Sequence, residues 1–167
     1  MLPAERAQGA TEGGRAALRT PLVVVIDTNV WLDLFVFHDP ASQALAHALR
    51  RGSLQPVRNQ RTDAELLAVL ARPQFVAKLP SAATANLLRH WQELARGVPE
   101  SPAAPWVCGD PADQKFLDLA YGARARALFT KDRALLRLAR AARRDGLQII
   151  GPGALRDLPA LDLAKPA

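Results

Sequence analysis

Four carboxylates are placed where they could do chemistry together: Asp27, Glu65, Asp113 and Asp132. Asp27 ends the apolar run that opens "LVVVIDTNVWLDLF" (22–35), and two short polar residues, Thr28 and Asn29, follow it. Asp132 comes two residues after "ALFT" (127–130). Glu65 lies near the start of "TDAELLAVL", and Asp113 near the start of "PADQKFLDLA". Carboxylates gathered at one point repel one another, and one takes up a proton unless a cation compensates. A divalent ion is the simplest compensation. Hard oxygen ligands point to Mg²⁺ or Mn²⁺. The lone Cys108 and the scattered His38, His47 and His90 offer no zinc spacing. An acid-rimmed Mg²⁺ site suits phosphoryl chemistry: the ion polarises a phosphate oxygen, lowers the pKa of a bound water and keeps nucleophile and leaving group in line.

Such a site exists only if the chain folds so that the four acids meet. "LVVVI" (22–26) is a short, continuous, β-branched apolar run, the mark of a strand covered on both faces. Further strands are expected at "QPV" (55–57), "PWVC" (105–108), "ALFT" (127–130) and "LQII" (147–150). Helical patterns occupy 40–52, 62–72, 81–97, 111–125 and 133–146, with Gly52 and Gly97 as stops and Pro73 ending the second. Strands alternating with helices imply right-handed crossovers, so the expected class is α/β: a three-layer α/β/α sandwich around a central, mainly parallel sheet. Residues 1–20 read as a flexible extension, 21–156 as one domain and 157–167 as a fraying tail. In such sheets ligands sit beyond the carboxyl ends of the strands. Asp27 and Asp132 emerge at that edge, and helices that follow strands begin there, which brings in Glu65 and Asp113.

Each acid also has an ordinary use. Thr62 and Glu65 make the T-x-x-E of a capping box. Asp110 suits an N-cap before Pro111, leaving Asp113 as a first-turn acid favoured by the helix dipole. Asp132 would cap the helix after it. Taken singly, each reads more readily as a cap. The conjunction changes the weighing, because caps are spread over both ends of a sheet and these four gather at one. A cationic side chain planted permanently among Asp27, Asp113 and Asp132, or their placement at separate locations, would count against the shared site.

The stretches "VVVIDTNVWLD", "TDAELLAVLARPQF" and "GDPADQKFLDLAYGARARALFTKDRALL", in that order, resemble a PIN-domain ribonuclease, in particular the toxin-like branch of toxin–antitoxin systems. The resemblance covers about residues 21–155. Most specific is the D-x-x-D-x-x-F-L-x-L-A helix followed by a strand and T-x-D. The resemblance implies the PIN-like α/β/α fold and Mg²⁺- or Mn²⁺-dependent cleavage of single-stranded RNA. It places Asp27, Glu65, Asp113 and Asp132 on the family's acidic quartet, with Asp27, Asp113 and Asp132 as direct ligands and Glu65 reaching metal through water or orienting the attacking water. Asn29 and Thr130 fall on polar supporting positions, and Asp110 is an N-cap or an outer ligand. On this reading Thr28 and Asn29 are short so that a substrate phosphate can approach. The partners implied are single-stranded RNA and an antitoxin protein. A haloacid-dehalogenase-like phosphatase would need a second acid where Asn29 stands, so it is the weaker enzyme alternative; a non-catalytic RNA-binding PIN-like module is the other rival.

Composition agrees without deciding. Lys and Arg number 22 against 16 Asp and Glu, a net +6 that leans toward polyanionic partners. Arg133, Arg137, Arg140 and Arg144 are spaced 4, 3 and 4, which puts them on one face of a continuous helix. A solvated face accounts for them as well as RNA does; Arg133, Lys131, Lys115 and Arg137 are the candidate RNA contacts. Trp31, Phe35 and Phe37 read chiefly as packing, or as the surface of a homo-oligomer or antitoxin contact. No apolar run approaches the roughly 18 residues of a membrane span, and the expected compartment is the cytoplasm.

Overall fold

The β-branched run after Pro21 forms β1 (Leu22–Ile26), the middle strand of a five-stranded sheet. The others are β2 (Leu54–Arg58), β3 (Arg96–Gly97), β4 (Ala127–Phe129) and β5 (Gln148–Ile150), in the order β3-β2-β1-β4-β5 with every pair parallel. The computed structural model describes residues 20–158; the expected extension before residue 20 and the tail beyond Leu158 lie outside the described residues. Leu158 itself is buried. The helices are α1 (Thr28–Leu32), which runs on as a π-helical turn over Asp33–Phe37, α2 (Gln43–Arg50), α3 (Gln60–Leu70), α4 (Pro73–Val76), α5 (Ser81–Leu94), α6 (Gln114–Gly122), α7 (Arg133–Leu136) and α8 (Ala139–Arg144).

Alternate residues of β1 supply the two faces. Val24 and Ile26 join Leu45, Leu66, Leu87 and Trp91 in one core, while Val25 joins Phe116, Leu117, Leu135 and Ile149 in the other. The chain is thus the expected three-layer α/β/α sandwich. It builds outward from β1 to β2 and β3, then returns to the other side of β1 for β4 and β5. The strand order reverses between β1 and β4, the point where α/β sheets open a crevice at their carboxyl edge.

Three expected elements differ. "PWVC" is no strand: Trp106 turns into the second core and its indole donates to Asp145 at 3.2 Å, while Val107 points to solvent. The edge place goes to Arg96–Gly97, because α5 stops at Leu94 and Ala95 becomes extended, so Gly97 pairs with Arg58 instead of capping a helix. The pattern over 133–146 breaks into α7 and α8 at a tight turn in which the Leu138 N–H donates to the Leu135 carbonyl at 3.0 Å. That turn lets Leu135 and Ala142 both face the sheet, and it interrupts the supposed arginine stripe, whose members are all exposed. Gly146, at φ +86, closes the segment in a conformation that glycine adopts without strain. No helix of the described residues is long and apolar enough to cross a membrane.

One buried acid ties together the helices that carry the site. Asp118 of α6 accepts from the Ala104 N–H at 3.0 Å, from Gln114 Nε2 at 2.9 Å and from Arg61 of α3 at 2.9 Å. Burial alone would raise its pKa, but these donors outweigh it and hold the carboxyl below the ordinary value. Asp118→Ala leaves three donors without their acceptor and should cost about 2–3 kcal/mol by urea unfolding at pH 7. Arg61 is half exposed, so Arg61→Ala should cost under about 1 kcal/mol. Equal losses would contradict the central place given to the carboxylate.

Candidate active site

β1 delivers Asp27 to the edge: its N–H still joins the ladder, donating to the Phe129 carbonyl at 3.0 Å, and then the backbone turns into α1. The side chain caps that helix, with Oδ1 accepting from the Val30 N–H at 3.0 Å. Its other oxygen accepts from the Thr130 hydroxyl, just past the end of β4. Asp27 is only 3% exposed. Burial therefore pushes its pKa up, against the Thr130, Val30 and Asn29 donors that lower it, and the charge of Glu65 pushes the same way as burial.

Thr130 is fully buried and works in two directions. It donates to Asp27 and accepts from the Asp132 N–H at 2.9 Å, so one hydroxyl links the ends of β1 and β4. Asp132 caps α7, its Oδ1 accepting from the Ala134 N–H at 2.6 Å. Asp113 closes a 3₁₀ turn over Pro111–Asp113 that leads into α6, and Asp110 caps that turn through the Ala112 N–H at 2.8 Å, its expected N-cap role. Asp113 is pushed up to about 6, first by burial and then by the charges of Asp132, Asp110, Glu65 and Asp27. The four expected acids, with Asp110, thus share one field at the switch point.

Glu65 is the departure. It does not cap α3: Asn59 does, in a reciprocal box with Thr62, and α3 starts two residues earlier than the pattern suggested. That frees the Glu65 side chain, whose Oε1 accepts from the Thr28 hydroxyl at 3.1 Å and whose Oε2 meets the Lys115 ammonium. Thr28 is buried with its hydroxyl turned to Glu65, and of the pair Asn29 is the exposed one. Lys115, expected on RNA, also donates to the Ala112 carbonyl. Its positive charge meets Glu65 only. Among the described residues Asp27, Asp113 and Asp132 have no ion pair.

Lys131 is likewise held by acids, at 2.7 Å from Asp33 and 3.1 Å from Asp39, which fastens the loop before Asp132 to the π-helical turn. Arg133 and Arg137 are exposed. Of the aromatics, Trp31 is buried against Trp91 and Phe35, with ring centroids 5.0 and 5.7 Å apart; Phe37 is 55% exposed. The oxygen-only donor set and its unrelieved repulsion fit the chemistry of a hard dication. Among the described residues no three acid, His or Cys side chains already stand in a ligating arrangement, so the carboxylates would have to turn toward an ion.

A family model described as a PIN domain matches residues 23–134. The chain belongs to the PIN domain family. Two solved structures share the architecture at identities where the likeness is one of fold. VapBC2 from Rickettsia felis, bound to a DNA fragment from its promoter, superposes with a TM-score of 0.52 at 13% identity, over 77% of this chain and 97% of that one. PAE2754 from Pyrobaculum aerophilum gives 0.55 at 16% identity, over 84% of this chain and 93% of that one. No curated protein matches the chain. The residues that the sequence reading missed in this PIN domain are Asp118 and Gln114, and it gave Thr28 a different role. The polarity of all three was visible, but Glu65 lies 37 residues from Thr28 and Arg61 lies 57 from Asp118.

The Asp113 field has a measurable consequence. Its folded-state value, about 6, lies above the ordinary 3.8, so the unfolded chain ionises first as pH rises and the native state loses stability between about pH 4 and 6. Asp113→Asn removes that penalty. Discounted for partial exposure, the variant should be more stable by about 1 kcal/mol at pH 8 and no different at pH 3.5, read by urea unfolding at both. A gain of equal size at both pH values would exclude the electrostatic cause.

Proposed function

We propose that this PIN domain is a divalent-metal-dependent endoribonuclease that cleaves single-stranded RNA, and that it is the toxin of a toxin–antitoxin pair. The observation that carries the reading is three aspartates, Asp27, Asp113 and Asp132, facing one field at the switch point of the sheet without an ion pair among the described residues. PIN domains are generally nucleases that use divalent metals, and the fold is shared with the VapBC2 complex, which supports an antitoxin partner.

Asp27, Asp113 and Asp132 would hold Mg²⁺ or Mn²⁺, which when bound supplies Lewis-acid polarisation of a phosphate oxygen and lowers the pKa of water. The chain's own work is orientation. A carboxylate offers about four lone-pair sites, and Val30 and Thr130 use two on Asp27, which fixes its plane and leaves capacity for a cation. The caps on Asp132 act in the same way. Glu65, held by Thr28 and Lys115, is placed to orient the attacking water rather than to bind metal directly. Asn29, exposed beside Asp27, is the polar group nearest to incoming RNA. Phe37 is the apolar residue of "WLDLFVF" left for a protein partner, the others having gone largely into the core.

Asp27→Asn and Asp132→Asn keep the capping geometry, since asparagine caps as well as aspartate does. Each should lower Mn²⁺-dependent cleavage of a single-stranded RNA by at least about 100-fold, with unchanged circular dichroism. EDTA should abolish cleavage by the native chain. Full activity in both variants would end the assignment. Absence of cleavage by the native chain with Mn²⁺ supplied would leave a non-catalytic RNA-binding module.

A further inference from the structure

Among the described residues Lys115 is the cation that pairs with an acid of the site, and it is fastened there. Its side chain is 16% exposed, and its ammonium donates both to Glu65 Oε2 and to the Ala112 carbonyl. The ammonium also lies 5.3 Å from the centroid of the Phe116 ring, part of the second core. Glu65 in turn has both oxygens engaged, by Thr28 at 3.1 Å and by Lys115. Any dication reaching Glu65 would have to displace Lys115 or sit against it across a shared carboxylate, and like charges at that range repel. On the other side of the rim nothing competes, since Asp27, Asp113 and Asp132 carry no ion pair among the described residues. Mg²⁺ and Mn²⁺ commonly take one or two carboxylates and complete their shell with water. Three aspartates are enough for one ion. A second ion on the α3 side would need Glu65, which is committed to Lys115.

We propose that Lys115 takes the seat of a second dication, so that the site binds a single Mg²⁺ or Mn²⁺ on Asp27, Asp113 and Asp132 while Lys115 neutralises Glu65. This rests on the metal-dependent reading above and refines it. A side chain supplies the positive charge on the α3 side of the rim, and a bound ion supplies it on the strand side. Lys115 is thereby a positioning residue: it fixes the plane of Glu65 and, through the Ala112 carbonyl, the turn that carries Asp113.

The test is the stoichiometry of Mn²⁺ binding to the full chain, by calorimetry and by the electron paramagnetic resonance signal of free Mn²⁺, with no RNA present. The native chain should bind one ion. Lys115→Ala opens both the seat and Glu65, and should bind a second ion within about tenfold of the first in affinity. Lys115→Arg should stay at one, and circular dichroism checks that both variants are folded. Two comparable ions in the native chain, or one ion in a folded Lys115→Ala, would overturn the single-ion site while leaving the metal-dependent nuclease standing. No Mn²⁺ bound by the native chain would overturn both.

Discussion

A carboxylate buried at the end of the central strand is the constraint around which the remainder is arranged. Asp27 is removed from water, and an unpaired charge in that position is costly unless donors or a cation offset it. The fold offers two donors at the side chain, the Val30 N–H and the Thr130 hydroxyl, and still leaves the pKa raised. Everything near Asp27 extends this compromise. Thr130 passes the constraint on to Asp132, Glu65 adds charge from α3, and Asp113 and Asp110 add more from the turn before α6. A fold under selection for stability alone would have no use for such a gathering. The gathering costs stability wherever Asp27 and Asp113 must ionise.

The gathering is held by contacts that lie outside it. Arg61–Asp118 joins α3 to α6, so the helices carrying Glu65 and Asp113 move as a unit. Gln114, next to Asp113, accepts from the Cys108 N–H at 2.8 Å and donates to the Trp106 carbonyl at 3.0 Å, which stitches the long loop after β3 to the same helix. Lys131 does the equivalent for the loop before Asp132, and it does so through the π-helical turn, a departure from regular helix often found at functional sites. These are polar contacts at a partly exposed rim. Each is modest alone; together they restrict how far any one acid can retreat from its neighbours.

How much of this could be read from the amino-acid order depends on whether the signal is local. β1 and β4 are legible because strands covered on both faces must be continuous apolar runs; β2 (LQPVR) and β5 (QII) show shorter pieces of the same signal, and their alternation with helices dictates a parallel sheet. β3 is not legible: it is two exposed residues paired at an edge, with no hydrophobic requirement. "PWVC" misleads because Trp106 satisfies burial by side-chain insertion, which a propensity pattern cannot tell from strand pairing. The T-x-x-E at Thr62 and Glu65 misleads because a better cap, Asn59, stands three residues before Thr62. The acids of the site were legible as a set of edge positions. The lysines were not, because whether a cation faces phosphate or carboxylate depends on partners fifty or more residues away: Glu65 for Lys115, Asp33 and Asp39 for Lys131.

Capping and chemistry prove to be compatible uses of the same side chain. Asp27 and Asp132 are both N-caps, and Asp110 is a third, so the capping read for Asp132 and Asp110 is correct as far as it goes. An N-cap engages one carboxylate oxygen with backbone N–H groups and thereby orients the other. In a parallel sheet, helices that follow strands begin at the carboxyl edge, so their capping acids are aimed at the same crevice by topology alone. The partial positive charge of the helix starts also lowers the cost of ionising acids there, though in a short helix such as α7 that help is small. Asp113 has no side-chain cap bond, and burial together with the charges around it pushes its pKa up to about 6. The site therefore combines carboxylates fixed by caps with one, Asp113, that has no cap bond of its own.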